Sequence, residues 1–149
     1  MKNAFTILEV LTTIGLISIL AFLAVPYAAS QLTTNRLYNT AAEMTSKIFE
    51  YQQSSYAFTN SKRYGFKINE DNYQVFISDD GVFDDPGDVI QQQNFPKGVT
   101  ADSILGTNPL VFLESSFRPI STLSFRLNHG GVALTIEINS EGLINYYVD

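Results

Sequence analysis

Cysteine is absent from all 149 residues, so no disulfide framework, thiolate nucleophile or cysteine-ligated zinc can be built. Histidine is nearly as scarce. His129 is alone, in an Asn128-His129-Gly130-Gly131 stretch that reads as a surface turn and not as a general base. Ser115, Ser116 and the scattered carboxylates show none of the spacings of a nucleophilic triad or a glycosidase pair, so neither catalysis nor a cofactor is expected. Positive charge is in short supply too. Nine Lys and Arg face fifteen Asp and Glu, and the net charge of -6 makes nucleic acid an unexpected partner. The length suits one domain with a modest core.

The most informative absence is local, because no charged side chain occurs between Val10 and Asn35. Within that stretch residues 10–29, VLTTIGLISILAFLAVPYAA, would rise about 30 Å as a helix, which matches the hydrocarbon thickness of a bilayer. Lys2 is the only basic residue ahead of it, so the N-terminus is expected on the cytoplasmic side and the bulk of the chain outside. A cleaved secretory signal peptide and a plain single-pass anchor both fit this much. Glu9 separates them from a third reading. A carboxylate at the mouth of an apolar run has no use in either, and at a bilayer centre it costs about 2.5–3.5 kcal/mol. A cut between Ala4 and Phe5 would create an α-amino group four residues before Glu9, at the positive end of the helix dipole. A carboxylate that neutralises such an amine, on its own chain or on an adjacent copy, brings helices into register.

Met1-Lys2-Asn3-Ala4 followed by Phe5-Thr6-Ile7-Leu8-Glu9-Val10 resembles the leader and N-terminal motif of type IV prepilins and type II secretion pseudopilins. The resemblance implies a leader (residues 1–4) removed by a prepilin peptidase between Ala4 and Phe5, N-methylation of Phe5, and Glu9 as the carboxylate that guides subunit addition. It also implies that Pro26 lets the helix bend or locally unwind in the filament, which agrees with the hydrogen bond a proline removes. Its partners would be other pilin or pseudopilin subunits, the peptidase, an inner-membrane assembly platform and, before assembly, membrane lipid. The protein would reside in a bacterial inner membrane and later in a pilus or pseudopilus. The family usually has Gly before the cut, where this chain has Ala4.

Past the apolar run, Leu37, Ala41, Met44, Ile48, Tyr51, Ser55 and Phe58 recur at spacings of three and four. This predicts that the helix continues over residues 31–60 and packs a stripe on a β-sheet; a short homomeric coiled coil is the alternative. Glu43 and Lys47 are spaced for an ion pair on the polar side, and the helix is expected to stop near Thr59-Asn60-Ser61. Residues 61–149 read as antiparallel strands: a hairpin from Tyr64, Phe66, Ile68 into Tyr73, Val75, Ile77, and another from Leu123, Phe125, Leu127 into residues 132–138. Residues 143–148 form a last strand, with weaker candidates at 97–101 and 110–113 beside Pro96 and Pro109. The expected class is α+β, one long helix against an antiparallel sheet or small β-sandwich.

This order, with the sequences of residues 73–101 and 123–147, is similar to the H-type minor pseudopilins and the FimT-like minor pilins. The lack of a C-terminal disulfide loop fits a minor pilin or pseudopilin better than a major type IVa pilin. Two binding readings remain beside the assembly role. Asp79, Asp80, Asp84, Asp85 and Asp88 around Gly81 could hold calcium, but aligning Gly81 with the invariant EF-hand glycine puts Phe76 and Gly87 at ligand positions, so a solvated turn is expected. Some FimT-like pilins are DNA receptors in natural transformation; here the only basic concentration in the exposed part is Lys62, Arg63 and Lys67.

Overall fold

The computed structural model describes residues 6–57, 62–79, 89–113 and 115–148. One helix, α1 (Ile7–Tyr56), precedes eight strands: β1 (Arg63–Ile68), β2 (Asn72–Ser78), β3 (Val89–Asn94), β4 (Thr100–Gly106), β5 (Leu110–Val111), β6 (Leu123–His129), β7 (Val132–Ile138) and β8 (Ile144–Val148). The strands form two four-stranded sheets, ordered β3-β2-β1-β5 and β4-β6-β7-β8, in which every pairing is antiparallel. The architecture is α+β, with the C-terminal half of α1 packed on β1, β6 and β7.

At 1.5 Å per residue the helix is about 75 Å long, far more than the sheets can cover. Packing begins at Thr33, over which the Gly130-Gly131 turn of β6 and β7 lies. A Cβ on Gly130 would come within 2.8 Å of the Thr33 methyl, and both glycines have positive φ. From there Leu37, Ala41, Met44 and Ile48 are fully buried, joined by Thr40, Gln52 and Ser55. The stripe therefore packs on sheet, with Tyr51 only half-buried and Phe58 outside the described residues. The helix stops at Tyr56, short of the Thr59-Asn60-Ser61 cluster, which also lies outside the described residues.

The core is the inward alternation of both sheets: Phe66, Ile68, Tyr73 and Val75 from one, Leu123, Phe125, Leu127, Leu134, Ile136 and Ile138 from the other. Each such side chain contributes about 1.5–3 kcal/mol by leaving water. Aromatic contacts join helix to sheet, with Tyr51 against Tyr64 (ring centroids 5.5 Å apart) and Phe66 (5.7 Å), and Phe66 stacked on Tyr73 (5.8 Å). The Tyr73 hydroxyl is buried with no hydrogen-bond partner among the described residues, and loss of solvation pushes its phenol up to about 12. Gly65 is needed for a different reason: the ring of Phe76, its cross-strand partner, occupies the space a Cβ would take, 2.1 Å away.

Several local expectations are corrected. The weak strand at 97–101 is displaced to β4, because Lys97 and Gly98 form a turn, with Gly98 at φ +86 and the Val99 amide donating to Pro96 O. The strand expected at 110–113 shrinks to Leu110–Val111, beside Asn108, whose side chain exchanges two hydrogen bonds with the Ile68 backbone (2.9 and 2.7 Å). β3 is an unforeseen strand; its glutamines do not alternate in hydropathy, yet it pairs with β2 over five positions. His129 is the last residue of β6 and not part of the turn, with Nδ1 2.8 Å from Gly98 O. Lys47 pairs with Glu50 at 2.8 Å, where the spacing suggested Glu43.

Candidate functional site

The site is the unpacked start of α1. Thr6 is its N-cap: the Glu9 amide donates to Thr6 Oγ1 (3.3 Å), while the Thr6 amide and hydroxyl both donate to Glu9 Oε2 (3.0 Å each). This is a reciprocal capping box, which satisfies orphan amides of the first turn and holds the carboxylate at the positive end of the helix dipole. The Thr-x-x-Glu spacing of residues 6–9 was legible as such a box. Thr6 is thus a second partner for Glu9, beside the α-amine expected from Phe5. Phe5, which would supply that amine, and Ala4 lie outside the described residues.

Beyond Glu9, residues 10–29 touch no part of the sheets, and large apolar side chains point outward on every side of the helix. Ile7 and Phe22 are each 82% exposed. The few polar side chains are satisfied within the helix: Thr12 donates to Leu8 O (3.0 Å), Thr13 to Glu9 O (2.7 Å) and Ser18 to Ile14 O (2.8 Å). A helix apolar all round with its hydroxyls turned onto its own carbonyls suits a solvent that offers no hydrogen bonds. Among the described residues α1 is the one helix long and apolar enough to cross a membrane. It continues through Pro26 without interruption, although a proline there has no amide to offer the preceding turn.

At the far end of α1, Gln52 is buried and its amide donates to Gly142 O (3.0 Å) and to Phe117 O. A Cβ on Gly142 would fall 2.1 Å from Phe117 O and 2.4 Å from Gln52 Nε2, so glycine at φ +82 is what lets both loops close on the helix. Sequence reasoning missed Gln52, because a polar residue in an apolar stripe reads as a flaw until its partners are seen.

The remaining candidate residues are scattered. Lys62 lies 3.7 Å from the exposed Asp79, while Arg63 and Lys67 are four residues apart on β1, each already engaged. Asp80, Asp84, Asp85 and Asp88 lie outside the described residues, and among the described residues no three acidic or histidine side chains converge. No family model, curated protein or solved structure matches this chain.

Proposed function

We propose that this protein is a structural subunit, a minor pilin or pseudopilin, of a type IV pilus or type II secretion pseudopilus. The observation that carries the reading is the division of α1: an acid-headed apolar half with no partner, continuous with a half that carries a folded β domain. A plain anchor needs the apolar half, and in it Glu9 would do no more than cap the helix with Thr6. In a filament the same half exchanges lipid for the helices of neighbouring copies, and Glu9 exchanges Thr6 for the α-amine of Phe5 on its own or an adjacent chain. The domain begins at Thr33, four residues after the apolar run, so it would rest close to the membrane surface before assembly and travel with the helix into the filament. DNA capture, the alternative, would have to use Lys62, Arg63 and Lys67, which are already engaged and sit on an acidic chain.

The deciding experiment is the intact mass and N-terminal residue of the protein from bacterial membranes, with and without an active prepilin peptidase. A peptidase-dependent start at methylated Phe5 is the expected result. A start at Met1 in both would leave a membrane-anchored β domain, and a start beyond Pro26 would make it a secreted protein; either outcome overturns the filament reading.

A further inference from the structure

The β8 edge is open in a way the other sheet edges are not. β4 is interrupted between Asp102 and Leu105, with Ser103 at φ +49 between them; β5 is two residues long; and β3 turns Gln91 and Gln93 inward. β8 pairs with β7 in unbroken register from Ile138↔Ile144 to Leu134↔Val148, and residues 143–148 contain no charge and no proline. Edges of this kind are templates for another strand.

The hydrogen-bond phase shows which groups are free. The Leu143 amide donates to Asn139 Oδ1 and its carbonyl accepts from the Asn139 amide, so residue 143 faces β7, as do Asn145 and Tyr147 by alternation. The amides and carbonyls of Ile144, Tyr146 and Val148 therefore point out from the edge. The side chains of the same three residues belong to the inner face, opposite Ile138, Ile136 and Leu134, which are buried, yet Tyr146 and Val148 are each 47% exposed. Beside Ile144, at the start of this face, a hollow of about 440 Å³ opens between the flank of α1 at Thr45, Phe49 and Gln52 and the loop residues Phe117, Glu141 and Leu143. Among the described residues, a core-facing surface is thus left uncovered beside a row of backbone groups that face away from β7.

A second copy does not fit this edge as an antiparallel strand. The Gly130 turn lies at Thr33 and Gly142 at Gln52, so β7 runs away from the apolar half of α1 and β8 runs back toward it. A copy anchored in the same direction offers only β4 or β5 antiparallel to β8, one broken and one too short. Antiparallel pairing of β8 with β8 would point the two apolar helices in opposite directions. This step rests on the anchored reading above.

We propose that β8 receives an extended segment of a different polypeptide, laid antiparallel along its edge, with apolar side chains at alternate positions over the α1 flank. Its outward positions suit Lys or Arg, because Glu137, one strand in from β8, has no ionic partner among the described residues, and the two strand spacings of about 4.8 Å each that separate it from the added strand can be bridged by long side chains.

The chain has no cysteine, so single cysteines at 144 to 148 can each carry a benzophenone label in the full-length protein in its native membrane. On irradiation, mass spectrometry of the adducts should find one polypeptide other than this chain, with its labelled position stepping backward one for one as the label steps forward. With the label at 147, Tyr146→Pro removes a free edge amide while leaving the β7 ladder, and should give about tenfold less adduct than Tyr146→Ala. Adducts to another copy, no adducts, adducts without the stepping, or equal yields from the two variants would overturn the proposal. The stepping needs no proline, so it decides the matter if Tyr146→Pro does not fold; in that case the yield comparison is not used. A methylated Phe5 start without the adduct pattern would sink this site alone and leave the filament reading intact.

Discussion

The two halves of α1 belong to one uninterrupted helix and live in opposite surroundings. Residues 10–29 carry large apolar side chains around the whole circumference and are exposed throughout, whereas from Leu37 to Ser55 a single stripe is mostly apolar and every member of it is buried or half-buried. Helical backbone is the same in both, so the difference lies in which neighbours the side chains require. The first half needs a medium or other helices to cover all its faces; the second needs only the two sheets.

The largest expected effects break the second half's packing and leave the first untouched. Phe66→Ala should destabilise the domain by about 3–5 kcal/mol in denaturant titration of the micelle-solubilised protein. Phe22→Ala, on the bare half, should change the same midpoint by less than about 0.5 kcal/mol. Equal effects would mean that the two halves are not independent. Next in size is the polar clamp. Gln52→Leu leaves two loop carbonyls without their donor and should cost about 1–3 kcal/mol, with faster amide exchange in residues 115–119 and 139–143.

Smaller still is the capping box. Thr6→Ala should cost about 1 kcal/mol, read as faster amide exchange confined to the first turn of α1 and with no change in the β-domain midpoint. A pH titration tests the domain from the other side. Tyr73 is held neutral to about pH 12 in the fold but ionises near 10 when unfolded, so its contribution is complete below pH 10 and is lost as pH rises toward 12. The melting temperature of the wild type should fall more steeply over that window than that of Tyr73→Phe.

How much of this was legible depends on the range of the interaction that produced each feature. The apolar run, its acidic head, the 37–55 stripe and the hairpins of β1 with β2 and β6 with β7 follow local periodicity, and all of them recur in the structure. β3 was not legible, since its glutamines give no alternation and the strand exists because β2 offers it an edge. Gln52 was not legible either, because its two acceptors lie 65 and 90 residues away.

Sequence alone determined that a helix longer than the domain must form, where its charge-free part begins and ends, and that the remainder alternates as strands, because these are properties of neighbours along the chain. Only the tertiary structure decided that the strands divide into two sheets, that both close on the same helical stripe from Thr33 onward, and that β8 keeps an open edge. Those outcomes depend on which distant surfaces bury each other, and a burial between residues a hundred positions apart leaves no periodic mark on either.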